Sequence, residues 1–224
     1  DVGIEIVVVA ALDYGEPVLM ISNEISYQDA RNRLACRAAR VRYRDFRHGT
    51  LPVEARARLD HVGAVLRHNA EVTIEHVSAV GLAAVARVRS LIQQLKPAVV
   101  LWDGHQLSAK SDDWKDVYQL SRRTRAMVLD GGVKTAMVVT TQLNPKREVA
   151  SYRAYHQDAT ASIQLDRDGS LIHVTTPDTR EDFGARWSMK VERGLPLVEM
   201  PYSATDPKVK PEAGEGMALQ GKPK

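Results

Sequence analysis

The chain has 224 residues, 44% of them hydrophobic and 26% charged, which is enough for one sizeable core and ordinary for a globular protein. No apolar run is long enough to cross a bilayer, no basic-then-apolar signal layout opens the chain, and a single cysteine, Cys36, excludes a disulfide framework and a cysteine-rich zinc site. A cytoplasmic, reducing setting with no membrane is therefore expected, and the net charge of +3 is too mild to imply nucleic acid by itself.

In chain order, Ile4 to Ala11 and Val18 to Ile21 are short, nearly continuous apolar runs, the pattern of strands buried on both faces. Only six residues, Leu12 to Pro17, separate them. Two parallel strands need a crossover of roughly a dozen residues or more, generally a helix. Either these strands are antiparallel, or a strand-loop-helix segment is missing between Ala11 and Gly15. Ala30, Leu34, Ala38 and Val41 then recur at helical spacing. This helix lies in a stretch where seven arginines between Arg31 and Arg47 stand against one acid, Asp45, and it reads as a solvated face or a subunit contact in preference to a DNA contact. Cys36, inside it, reads as a packed thiol.

Val85, Val88, Ile92 and Leu95 predict a second helix, ended by Pro97. The apolar run Ala98 to Trp102 follows. Val117, Leu120, Thr124 and Val128 predict a third helix before Gly131-Gly132, and Ala136 to Val139 a further strand. Helices alternating with buried strands give an α/β doubly wound fold. After residue 160, short strands at Ser162 to Leu165, Leu171 to Thr175, Trp187 to Val191 and Leu197 to Met200, with a turn at Arg167-Asp168-Gly169, predict antiparallel strands finishing the sheet. Residues 1–202 are expected to form one domain. Residues 203–224 lack aromatics, are rich in Pro, Gly and Lys, and read as a disordered tail.

Three strand ends carry polar groups. Asp103 ends Val99 to Trp102, Glu24 follows Val18 to Ile21, and Gln142 follows Ala136 to Val139. In parallel α/β sheets ligands collect beyond the carboxyl ends of strands. An aspartate there can hold Mg²⁺ through water, a glutamate can deprotonate an attacking water, and an amide can hydrogen-bond a phosphate. Each also has a plainer reading, as a helix cap or a turn residue. Trp102 and Trp187 read as core.

Several segments, in order, resemble the motor domain of DnaB-type replicative helicases. Pro17-Val-Leu-Met-Ile-Ser-Asn-Glu24 is similar to the strand that ends in that family's catalytic glutamate, and Arg47-His-Gly-Thr-Leu51 to its Arg-x-Gly-x-Leu stretch. Leu101-Trp-Asp-Gly-His-Gln-Leu107 resembles its Walker B segment, and Val138-Val-Thr-Thr-Gln-Leu-Asn144 its Ser-Gln-Leu-Asn motif. His156-Gln-Asp-Ala159 and Lys190-Val-Glu-Arg-Gly194 resemble two elements among its last strands. The resemblance implies a RecA-like fold with a mainly parallel central sheet, and a homo-hexamer that binds ATP and Mg²⁺ between subunits and moves 5′ to 3′ on single-stranded DNA. It also implies a primase and a helicase loader as partners. Glu24 would activate water, Asp103 would position Mg²⁺ and bind the nucleotide, and Gln142 would sense the γ-phosphate.

Lys190 and Arg193 would reach a neighbouring subunit's site; Arg193 falls one position late, because Glu192 stands where the family's arginine is expected. Lys110, after Asp103, and Lys146, Arg147 and Arg153, after Gln142, would follow the DNA backbone in a central channel. The second of these loops is shorter than the family's near Val149-Ala150. One departure is large. No Gly-x-x-x-x-Gly-Lys-Ser/Thr phosphate loop occurs in the chain. Its expected place is the short Ala11–Gly15 junction. A non-hydrolysing RecA-like DNA-binding or assembly subunit, and another RecA-type ring ATPase, remain as alternatives.

Overall fold

A computed structural model describes residues 2–68, 72–111, 113–130 and 134–141, together with Tyr155, Asp158, Ala159 and four strand segments between 164 and 200. Its centre is a four-stranded, wholly parallel sheet in the order β2-β1-β3-β4. The strands are β1 (Val18–Ser22), β2 (Val72–Glu75), β3 (Val99–Asp103) and β4 (Ala136–Val139). Every residue of β1 is buried, as a central parallel strand requires. Its side chains alternate between two cores. Leu19 and Ile21, with Val100 and Trp102 of β3, pack under α5 (Leu82–Leu95) and α6 (Trp114–Asp130). Val18 and Met20, with Leu101, pack on the opposite face under α1 (Val2–Val8) and α2 (Tyr27–Ala38). This is the doubly wound α/β fold expected from the alternation of elements.

Val2 to Asp13 departs from that expectation. The segment is not a strand. It is α1, continued by a π-helical turn over Val9–Asp13. The run is apolar, but its buried members, Gly3, Ile4, Val7, Ala10 and Ala11, follow helical spacing on one side. Short apolar runs of β-branched residues do not distinguish a buried strand from a helix. Tyr14 N–H donates to Val9 O at 3.2 Å and Glu16 N–H to Ala10 O at 2.9 Å, closing the helix and leading the chain into β1. The junction is therefore an ordinary helix-to-strand turn. No crossover is short, and no missing segment is needed between Ala11 and Gly15.

After β1 the chain runs through α2, α3 (Tyr43–Arg47) and α4 (Val53–His68) to β2 at the sheet edge. α3, α4 and β2 were not anticipated from the sequence. Ser26, not Glu24, caps α2, its hydroxyl accepting from Asp29 N–H at 3.2 Å. Arg37 pairs with Glu5 of α1 and Arg33 stacks over Tyr43, while Arg40, Arg42, Arg44 and Arg47 face solvent. Cys36 is buried with Ala39, Val41, Ala55 and Leu59, and burial pushes its thiol up to about 11, an unreactive range. From β2 the chain returns through α5 to β3, then through α6 to β4. Lys96 in the left-handed conformation closes α5 just before Pro97.

The antiparallel strands are present at the anticipated places, as β5 (Gln164–Asp168), β6 (Leu171–Thr175), β7 (Arg186–Lys190) and β8 (Val198–Met200). They correct one expectation. They form their own four-stranded sheet, β5-β6-β7-β8, and no hydrogen-bonded pairing joins it to the parallel sheet among the described residues. Each strand pairs with its sequence neighbour, so the backbone is satisfied within the meander. Residues 201–224, including the expected tail, lie outside the described residues, as does Val149-Ala150. No helix among the described residues is long and apolar enough to cross a membrane.

Leu19 is fully buried at the sheet centre. Leu19→Ala is expected to lower the unfolding free energy by roughly 3 kcal/mol. Urea titration followed by circular dichroism checks this, and a loss near zero would place Leu19 outside the core.

Candidate functional site

The strand order decides where a ligand can sit. From β1 the chain moves outward to β2 along one face, then returns across β1 to β3 and on to β4 along the other. The two directions diverge between β1 and β3, and a crevice opens at that switch point beyond the carboxyl ends of the strands. Parallel pairing sets Ser22 opposite Asp103, so the residues following each strand emerge side by side.

Two of the anticipated groups meet there. Asn23 N–H donates to Asp103 O at 3.3 Å, joining the two strand ends. A Cβ built on Gly104 would come 3.4 Å from Glu24 Cβ, so Glu24 stands directly beside the turn that follows Asp103. Glu24 is exposed and Asp103 half-buried. Gly104 holds φ 69°, a left-handed conformation costly for residues with a side chain, and this lets the chain turn sharply behind the carboxylate. Asn23 also donates its side-chain amide to Ser108 Oγ, pinning the next turn against β1.

Thr140, just past β4, completes the frame. Its N–H donates to Trp102 O at 3.0 Å, and its carbonyl accepts from His105 N–H at 3.1 Å. Its hydroxyl accepts from Gly104 N–H at 3.2 Å and donates to Asp103 Oδ1 at 2.5 Å. The N-terminal end of α1 packs on the same spot: a Cβ on Gly3 would lie 3.3 Å from Thr140 Cγ2 and 3.1 Å from Leu101 Cδ1. Backbone N–H groups suited to phosphate therefore belong at or ahead of Val2, and not after Ala11.

The residues after Asp103 do not form an open loop. His105–Ser108 is a 3₁₀ turn with His105 and Ser108 buried. Lys110 is exposed, its stem lying over Gly81 at the head of α5. Among the remaining anticipated residues, the backbone of Lys190 ends β7. Gln142, Lys146, Arg147, Arg153 and Arg193 lie outside the described residues.

One buried cluster carried no role in the sequence reading. His105 is fully buried against Trp102, with ring nitrogens 2.7 Å from Tyr155 Oη and 2.9 Å from Thr124 Oγ1. One nitrogen donates and the other accepts, and either hydroxyl can take the matching part. Burial pushes the imidazole down to about 3 and the Tyr155 phenol up. Beside it, the buried Asp158 carboxylate lies 3.6 Å from Arg122 and 3.8 Å from Arg125 of α6. Neither contact reaches hydrogen-bond geometry, so charge pairing alone offsets the cost of burial. Trp102 is core, as anticipated; the side chain of Trp187 is outside the described set. The sequence signal for the cluster, a histidine two residues past a strand-end aspartate, named no partner, because its partners are 19 and 50 residues away.

The donor set bears on which ion can bind. No group of three or more His, Cys, Asp or Glu is arranged to hold a metal among the described residues. Isolated carboxylates at strand ends suit Mg²⁺, which keeps several waters and takes phosphate oxygens as ligands, and they do not suit a closed protein cage.

No protein-family model and no curated protein matches the chain. Solved structures do. The ATPase domain of a DnaB-like helicase superposes with a TM-score of 0.69 at 17% identity, covering 84% of this chain and 76% of that one. A DnaB-like replicative helicase, solved for its interactions with primase, gives 0.68 at 16%, covering 83% of this chain and 51% of that one, so this chain spans about half of that protein. A KaiC-like protein, PH0186 from the hyperthermophilic archaeon Pyrococcus horikoshii OT3, gives 0.58 at 15%, covering 87% and 80%. The fold is thus the RecA-like α/β fold of DnaB-like helicase ATPase domains, as the motif series implied, and a KaiC-like protein shares it.

The low value at His105 has a consequence for stability. The unfolded chain protonates this histidine near its ordinary 6.5, the folded chain only at about 3. Acidification between those values therefore favours unfolding, by about 1.4 kcal/mol per pH unit. His105→Asn is expected to flatten the pH dependence of unfolding free energy between about pH 6 and about pH 4 relative to the unaltered protein. Equal slopes in urea titrations of the two proteins would contradict the buried neutral imidazole.

Proposed function

We propose that this chain is the motor domain of an ATP-hydrolysing hexameric ring that moves along single-stranded DNA and separates duplex strands. One observation carries the reading. Glu24 and Asp103 emerge together at the switch point of a parallel sheet, on strands held in register from Val18↔Val99 to Ser22↔Asp103. That is where an α/β sheet binds phosphates, and the pair supplies both carboxylates that hydrolysis uses. The fold shared with DnaB-like helicase ATPase domains supports it.

In this reading Asp103 holds hydrated Mg²⁺, fixed by the Thr140 hydroxyl on one oxygen while the other stays available. When bound, the ion neutralises phosphate charge. Glu24, exposed at the mouth of the crevice, accepts the proton of the attacking water. Gln142, two residues beyond Thr140, contacts the γ-phosphate, and Lys190 and Arg193 serve the site of a neighbouring copy. Lys110, Lys146, Arg147 and Arg153 contact the DNA backbone, weakly enough one by one that binding falls with salt. Residues 1–202 form the motor, and the primase and loader contacts are those of a replicative ring in the bacterial or phage-infected cytoplasm. The polarity, 5′ to 3′, follows the motif resemblance.

Glu24→Gln in the full-length protein is expected to lower ATP turnover at least about 100-fold while ATP still binds. Steady-state phosphate release, read beside equilibrium binding of a fluorescent ATP analogue, separates the two effects. Unchanged turnover contradicts the role of Glu24. Absence of both binding and turnover in the unaltered protein favours the non-hydrolysing subunit, and DNA-independent turnover without unwinding favours another ring ATPase.

A further inference from the structure

Thr140 belongs to neither the anticipated site nor the buried histidine cluster, yet it touches more of the crevice than any residue to which the motifs gave a role. Its backbone and hydroxyl make four hydrogen bonds, to Trp102, Asp103, Gly104 and His105. The direction of the hydroxyl bond is fixed by its neighbours. Because Oγ1 accepts from the Gly104 N–H, its own proton is free for Asp103 Oδ1, a charge-assisted contact at 2.5 Å. Cγ2 faces Gly3 of α1, where a side chain would collide, so the rotamer is held from the other side as well. The side chain is half-buried, and shielding from water strengthens the contact.

We infer that Thr140 is a positioning residue for Asp103. It turns the carboxylate so that Oδ1 is spoken for within the protein and the remaining oxygen faces the crevice and a hydrated divalent cation. The inference rests on the nucleotide reading above and adds a residue to it. It also gives the end of β4 a mechanical link to the cation. Any displacement of the chain at Gln142 passes through Thr140 to Asp103 without crossing solvent.

The test uses the full-length protein with Mn²⁺ as the probe cation. Binding is read by electron paramagnetic resonance of free Mn²⁺ with ADP present, and thermal melting is measured in parallel. Thr140→Val removes the hydroxyl and keeps the shape; Thr140→Ala removes it with less bulk; Thr140→Ser restores it without Cγ2. Valine and alanine are expected to weaken nucleotide-dependent Mn²⁺ binding roughly tenfold, with serine within about twofold of the unaltered protein. Affinity that follows the melting temperature across the three variants, and not the hydroxyl, overturns the inference. So does an unchanged affinity in both the valine and alanine variants. Failure of the unaltered protein to bind Mn²⁺ with ADP is a different result, one that removes the nucleotide reading itself.

Discussion

The parallel pairing of β1 with β3 is the constraint on which the rest depends. Parallel strands place both carboxyl ends at one edge of the sheet, and the register from Val18↔Val99 to Ser22↔Asp103 leaves no stagger between them. Glu24 and Asp103 are neighbours for that reason and not because they attract each other; two carboxylates repel. Burial holds them there. β1 is buried throughout, with Leu19 and Ile21 committed to one core and Val18 and Met20 to the other. A register slip by one residue would exchange the two sets and unpack both layers. The stability of the sheet therefore maintains two acids at a separation they would not choose.

Around that edge the chain adds rigid supports. Gly104 turns the backbone in a conformation few other residues tolerate, Asn23 ties β1 to Ser108, and Thr140 closes the frame from β4. Deeper, His105 anchors the same turn to α6 through Thr124 and to the segment of Tyr155, whose neighbour Asp158 faces Arg122 and Arg125. A crevice built on strands and a buried network keeps its geometry better than one built on loops. The cost is a neutral imidazole and a carboxylate removed from water, both satisfied only while α6 stays docked.

Much of this was legible in the sequence. The apolar runs ending in Glu24 and Asp103 named both strands and the two acids, and the spacing of Val85, Val88 and Ile92 and of Val117 and Leu120 named α5 and α6. The first segment misled. Ile4 to Ala11 is rich in β-branched residues, and only the burial of Gly3, Ile4, Val7, Ala10 and Ala11 along one helical face reveals the helix. That single misreading carried the phosphate-binding position with it, from the head of α1 to its tail. β2 escaped notice because four half-buried residues, Val72–Glu75, make no strong pattern. Thr140 and His105 were invisible for another reason: each acts through contacts tens of residues away, which periodicity does not encode.

The central claim is that the edge formed by β1 and β3 hydrolyses a nucleotide. A crystal structure of the full-length protein with Mg²⁺, ADP and aluminium fluoride tests it most directly. The account predicts the fluoride plane beyond the ends of β1 and β3, a water between it and Glu24, and Mg²⁺ reached from Asp103 through water. Nucleotide bound elsewhere on the molecule, with Glu24 and Asp103 facing only solvent, would contradict it.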